Sequence, residues 1–181
     1  MQFIPTAFAD VLLIKPHKFV DQRGYFMETS RADVFAAQGI GPFVQSNQSG
    51  SKQHVLRGLH YQLERPQGKL VSVNQGALFD VVVDVRRHSP TFGHWYGVEL
   101  SAENALQLWA PPGFAHGFYA LTPWAECSYL CTEYFNPASQ MSVRWDDPAL
   151  NIKWPVPEGV QPILSDKDLA APLLADAQVF A

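Results

Sequence analysis

Apolar residues recur along the chain in short runs, some alternating with polar positions and some unbroken, and turn-forming residues separate the runs. The candidate strands are Val11–Ile14, Tyr25–Thr29, Phe43–Asn47, Val55–Tyr61, Lys69–Asn74, Ala77–Arg86, Trp95–Leu100, Ala105–Ala110, Gly117–Leu121 and Ala125–Tyr134. Between them lie Asp21-Gln22-Arg23-Gly24, Ser49-Gly50-Ser51, Arg65-Pro66-Gln67-Gly68, Asn74-Gln75-Gly76, His88-Ser89-Pro90 and Pro111-Pro112-Gly113. Such residues supply the positive or fixed φ that a reversing chain needs. Short strands at this spacing predict an all-β domain built as a sandwich, jelly roll or barrel. Helical periodicity is confined to Arg31–Gln38, stopped by Gly39, and to a turn or two within Asp166–Leu174. No repeat or linker interrupts residues 1–181, so a single domain is expected, with its core at about 40–145. The Pro-rich stretch from Trp154 to Gly159 opens a tail expected to wrap the body.

Composition agrees with that picture. Hydrophobic residues make up 47% of the chain and charged ones 17%, enough apolar surface to bury a core and too little charge for a disordered segment. A formal charge of −4 offers no global positive field for a nucleic-acid backbone or an anionic membrane, so neither partner is expected. An anionic small molecule remains compatible, because a pocket needs only a few placed cations. Cys127 and Cys131 lie on one extended segment, where ~3.3 Å per residue separates them by roughly 13 Å, beyond disulfide reach. They are expected as free thiols, which suits the cytoplasm. Met1-Gln2-Phe3-Ile4-Pro5 lacks the basic start and apolar core of a secretory signal. The long uncharged run from Asn104 to Ala125 is broken by Pro111, Pro112, Gly113 and Pro123, which excludes a simple spanning helix. Many strands leave edges to cover. N-terminal strands shared with a second copy would cover one, so a homodimer is expected.

Several side chains stand where chemistry is possible. In Arg57-Gly58-Leu59-His60-Tyr61, strict alternation sends Arg57 and His60 to opposite faces; a bulge at Gly58 would bring both to one cavity. Lys69 opens an apolar strand. A lysine there is ordinarily solvated, but pointing inward it would stabilise charge developing on a substrate oxygen. Asp80 and Asp84 share one face of Phe79–Val85, and buried carboxylates need Arg or His partners. Tyr129 lies among apolar residues, either as a packed core tyrosine or as a proton donor. Asp168 alone reads as a loop or helix-cap acid.

The segment Pro111-Pro112-Gly113-Phe114-Ala115-His116-Gly117 resembles the second half of the motif pair of cupin jelly rolls, in which a glycine turn delivers a histidine to the barrel mouth. Metal-binding cupins add His-x-His and a Glu; this chain has only His60 in that region, so no metal is expected and His116 must act otherwise. Further blocks then fall in order: Asp21-Gln22-Arg23-Gly24-Tyr25-Phe26-Met27-Glu28, Gln45-Ser46-Asn47, Val55-Leu56-Arg57-Gly58-Leu59-His60, Gln67-Gly68-Lys69, Phe79–Arg86, Ser89-Pro90-Thr91-Phe92-Gly93, Pro112–Phe118 and Leu164-Ser165-Asp166-Lys167-Asp168. Together they closely resemble the dTDP-4-dehydrorhamnose 3,5-epimerase family over nearly the whole chain.

That resemblance implies a cupin-type jelly-roll barrel with a few short helices, a homodimer with N-terminal strands at its interface, and an epimerase that needs neither metal nor cofactor. Its substrate would be a dTDP-4-keto-6-deoxyhexose, inverted at carbons 3 and 5 on the route to dTDP-rhamnose and surface polysaccharide. Both carbons flank the carbon 4 ketone, so either proton can leave as an enolate forms. The family pattern implies His60 as base with Asp168 as its partner, Lys69 at the enolate oxygen and Tyr129 as the acid on the opposite face. It implies ligand contacts from Arg23, Glu28, Gln45, Ser46, Asn47, Arg57, Lys69, His116, Phe135, Gln140 and Lys167, some of them across the dimer. Two positions depart from the family pattern. Phe135 stands where a tyrosine commonly stacks on thymine, and Gln140 where an acid is common. A mono-epimerase or ketoisomerase on a related sugar, a metal-dependent cupin and a non-catalytic sugar binder are the alternatives.

Overall fold

The computed structural model describes residues 1–181. In chain order the strands are β1 (Gln2–Pro5), β2 (Leu12–Lys15), β3 (Lys18–Asp21), β4 (Gly24–Met27), β5 (Gln45–Lys52), β6 (Leu56–Gln62), β7 (Lys69–Gln75), β8 (Ala77–Asp84), β9 (Trp95–Ser101), β10 (Gln107–Ala110), β11 (Phe114–Ala120), β12 (Trp124–Cys131) and β13 (Gln140–Ser142). Helix is limited to α1 (Ala32–Ala36), α2 (Asp166–Leu169) and a 3-10 turn at Pro137–Ser139. A six-stranded sheet in the order β1-β2-β10-β7-β12-β5 faces a five-stranded sheet in the order β13-β6-β11-β8-β9, all neighbours antiparallel. No helix is long and apolar enough to cross a membrane.

The alternation of β8 shows how the layers form. Leu78 and Val82 point between the sheets and pack with Leu13, Val71, Leu108 and Phe118. Val81 and Val83 point the other way and pack with Leu59, Ala115, Val143, Leu150 and Leu174. The second set includes residues of the C-terminal tail, which covers the outer face of the five-stranded sheet. A strand buried on both faces needs an unbroken apolar run, which is how Val81–Val83 reads. Full burial of each such side chain contributes about 1.5–3 kcal/mol. Asp80 and Asp84 lie on the inward face and are fully buried.

Some expectations change. Ser49-Gly50-Ser51 is not a turn; β5 runs straight through it. The glycine is required for a close approach, since a Cβ at Gly50 would meet the Trp124 ring at 2.4 Å. Strands β1, β3 and β13, each of three or four residues, carry too little pattern to have been anticipated. Strands β3 and β4 form a two-stranded ribbon outside both sheets, with Phe19, Val20, Tyr25 and Phe26 exposed.

Candidate active site

A cavity of about 570 Å³ opens among β5, β6, β7, β11 and β12, with the segment Ile163–Ser165 and Asp168 along one wall. From β5 come Gln45, Asn47 and Ser49, every second residue. Ser46 is exposed on the other side of that strand, because successive side chains of a strand alternate. Lys69 enters at the start of β7, His116 lies on β11 and Tyr129 on β12.

The placement of Arg57 and His60 depends on a bulge. His60 stands opposite His116 and Arg57 opposite Phe118, so β6 runs three residues where β11 runs two. Gly58 sits in this irregularity at φ +118, and a Cβ there would meet the Cα of Gly117 at 2.5 Å. The extra residue resets the alternation. Both Arg57 and His60 therefore line the cavity.

Two histidine–aspartate pairs stand side by side. His60 Nε2 donates to Asp168 Oδ1 at 2.5 Å, and His116 Nε2 lies 2.8 Å from Asp80 Oδ1. Asp80 Oδ2 is buried without a hydrogen-bond partner. Burial pushes the Asp168 carboxyl up, but the hydrogen bond and charge of His60, with smaller help from Ser165 and the Gly58 amide, outweigh it and hold the pKa below the usual carboxylate range. Its anionic form is thereby kept beside the imidazole. Lys69 is pushed down by desolvation, with Cys131 and Asp80 partly opposing the shift. Tyr129 is pushed up, chiefly by burial, so its phenol keeps its proton. Cys127 and Cys131 flank Tyr129 on β12 as buried free thiols.

Arg57 donates from Nε to Ser51 Oγ at 3.1 Å and from Nη2 to the Gly50 carbonyl at 3.1 Å, which aims the guanidinium along the wall. Phe135 and Gln140 stand at the mouth. Gln45 Oε1 accepts from the Phe135 amide at 2.9 Å, and Gln62 donates to the Tyr134 carbonyl while accepting from the Asn136 amide. The loop that carries the aromatic ring is thus tied down on both sides. Lys167 lies outside the lining and donates to Gln140 Oε1 at 2.5 Å.

Arg23 and Glu28 are not part of the cavity of their own chain. Arg23 is exposed at the tip of the β3–β4 ribbon and pairs with Asp21, and Glu28 follows the ribbon, also exposed. Sequence reasoning passed over Ser49, Gln62, Gln67 and Ser165, all of which line the cavity. For Ser49 the signal was present in the two-residue period from Gln45, and for Ser165 in the Ser-x-x-Asp spacing. Gln62 and Gln67 carried none.

Comparison with known proteins places this architecture. The family model for dTDP-4-dehydrorhamnose 3,5-epimerase matches residues 5–176. The chain belongs to that family. The dTDP-4-dehydrorhamnose 3,5-epimerase of Salmonella typhimurium is 51% identical over 181 residues, covering 98% of this chain and 97% of the relative. The one from Neisseria gonorrhoeae is 52% identical over 100% of this chain, which spans only about half of that relative, 55% of its length. A crystal structure of the dTDP-6-deoxy-D-glucose-3,5-epimerase of Legionella pneumophila, in complex with dTDP-4-keto-L-rhamnose, superposes with a TM-score of 0.92 at 50% identity. It covers 96% of this chain and 93% of the other. The fold is accordingly the cupin-type jelly roll of the dTDP-4-dehydrorhamnose 3,5-epimerases, which are carbohydrate isomerases.

Proposed function

We propose that the cavity binds a dTDP-4-keto-6-deoxyhexose and inverts carbons 3 and 5 by removing each proton on one face and returning it on the other. The observation that carries this reading is the convergence of His60–Asp168, Lys69 and Tyr129 on one cavity. Because Asp168 accepts from Nε2–H of His60, the lone pair of the neutral imidazole lies on Nδ1. That nitrogen takes the proton from the carbon next to the ketone, the C–H electron pair moves into the enolate, and the negative charge collects on the carbonyl oxygen. Lys69 stabilises that oxygen. Burial disfavours its ammonium, and an enolate forming beside it restores what desolvation removes. Tyr129 delivers its proton to the opposite face of the carbon, and its phenolate is reprotonated from the imidazolium through solvent. A second round at the other carbon completes the double inversion. No oxidation state changes.

Besides Lys69, Arg57 is the cation available to a diphosphate inside the cavity, with the His116 imidazole beside it, and guanidinium suits phosphate oxygens in pairs. Phe135 presents a ring for stacking on thymine. Gln45, Asn47 and Gln140 supply neutral polar contacts. The exposed apolar ribbon of β3 and β4, ending in Arg23 and Glu28, supports a homodimer in which the ribbon reaches the partner's cavity. With free buried thiols and a nucleotide substrate, the cytoplasm is the compartment we assign. The test is incubation with dTDP-4-keto-6-deoxyglucose in D2O, followed by NMR. Deuterium at both carbons is expected. Label at one carbon would make this a mono-epimerase, and no label at either would reject the mechanism.

A further inference from the structure

Asp168 is held from two directions. Its Oδ1 faces His60, while Ser165 Oγ donates to Oδ2 at 2.9 Å and accepts from the Asp168 amide at 3.2 Å. Ser165 is the N-cap of α2, a helix of only four residues. Its spacing to Asp168 matches a capping box, in which the acid at the third helical position usually reaches back to the N-cap amide. Here the carboxylate instead takes the N-cap hydroxyl and turns its other oxygen across to β6. A short helix on a tail segment is a poor platform for a residue that must meet a histidine on a sheet. The parallel bridge of Val55 with Ile163 and the bond of Lys167 to Gln140 tie this stretch to its surroundings, and the Gly58 amide also bonds the Asp168 carboxylate, but Ser165 is the side chain that holds Oδ2. A carboxylate bonded at one oxygen can rotate about its χ2 torsion, whereas one bonded at both cannot.

The geometry points to Ser165 as a positioning residue for the reaction. By holding Oδ2 it fixes the face of Asp168 that meets His60, and so sets which imidazole nitrogen keeps the lone pair. This inference rests on the proposed role of His60 as base. The lowered pKa of Asp168, to which Ser165 contributes after His60, is consistent with a hydroxyl that favours the anion.

The test separates the hydroxyl's two tasks. Glycine is an acceptable N-cap, close to serine in the helix stability it gives, while threonine keeps the hydroxyl. In full-length protein, Ser165→Gly is expected to lower kcat about tenfold, the scale of one hydrogen bond to a charged group. KM should stay within about twofold and the melting temperature close to that of the unsubstituted protein, because the nucleotide contacts and the helix remain. Ser165→Thr should recover most of the lost turnover. The proposal is overturned if Ser165→Gly turns over normally, if its defect lies in KM or folding instead of kcat, or if threonine fails to rescue. Absence of deuterium exchange by the unsubstituted protein would instead overturn the base assignment, and this inference with it. Exchange by that protein beside an unimpaired glycine variant would overturn the role of Ser165 alone.

Discussion

Two buried aspartates, Asp84 and Asp168, show what separates a carboxylate that builds a fold from one that serves a site. Asp84, at the end of β8, accepts five hydrogen bonds: from the Arg86 amide and Nε on one oxygen, and from Arg86 Nη2, Ser89 Oγ and Thr91 Oγ1 on the other. Burial pushes its carboxyl up, but these bonds overrule it and bring the pKa down to about 2. Every partner is permanently charged or neutral, and Arg86 also binds Asp10, so nothing is left to titrate or move. Asp168 has two side-chain partners, one of them an imidazole, which can both take up and release a proton. The imidazole, in turn, faces a cavity. Saturation by fixed donors marks architecture, and a single titratable partner facing open space marks chemistry.

Replacing the partner breaks the comparison most directly. His60→Ala is expected to cut deuterium exchange per folded molecule at both carbons by about three orders of magnitude, the middle of the range for a general base, and to lower the melting temperature as well, because it leaves the buried Asp168 carboxylate without its imidazole. Normal exchange by this variant would move the base elsewhere. Tyr129→Phe is expected to reduce epimerised product by about a hundredfold yet leave wash-in of deuterium from the first face measurable, because abstraction does not use the phenol. If exchange and inversion fell together, one group would serve both steps.

Asp84→Asn probes the other carboxylate, with stability as the readout. Removing the charge leaves Arg86 without its main buried partner, a loss of about 3–5 kcal/mol in unfolding free energy, and turnover per folded molecule should be unaltered. The wild-type pH dependence follows from the direction of the shift. A folded pKa of about 2, below the ordinary 3.8, gives stability that is complete above pH ~4 and is lost as pH falls through about 2. A stability curve flat across that window would show that Asp84 does not hold this end of the barrel.

Much of this contrast was legible in the chain. The alternation and turn residues implied the paired sheets, and an acid on each side of Val81-Val82-Val83 implied buried partners. The bulge at Gly58 followed from requiring Arg57 and His60 to share a cavity. Other features escaped for physical reasons. His60 and Asp168 lie 108 positions apart, and no local period reports a contact made by a returning tail; only the resemblance to a family joined them. Gly50 looked like a turn because composition does not distinguish a glycine that lets the chain reverse from one that lets an indole ring approach a strand closely. The β3–β4 ribbon, which packs on neither sheet, has its apolar residues exposed, so the rule that apolar positions mark the core misreads it.

The smallest effect tests the same distinction between neighbouring residues. Ser46 and Asn47 adjoin on β5, and the family pattern put both against the ligand. Ser46 faces outward, whereas Asn47 lines the cavity between Gln45, whose Nε2 donates to it at 3.0 Å, and Cys131, whose sulfur lies 3.7 Å from its Nδ2. Asn47→Ala should therefore raise KM for the nucleotide sugar several-fold, about 1 kcal/mol for one neutral hydrogen bond, with kcat little changed because the contact is equal in ground and transition states. Ser46→Ala should move neither constant, because its side chain faces away from the cavity. A rise in KM for Ser46→Ala with none for Asn47→Ala would mean that β5 is out of register by one residue, which would also turn Gln45 and Ser49 away from the cavity.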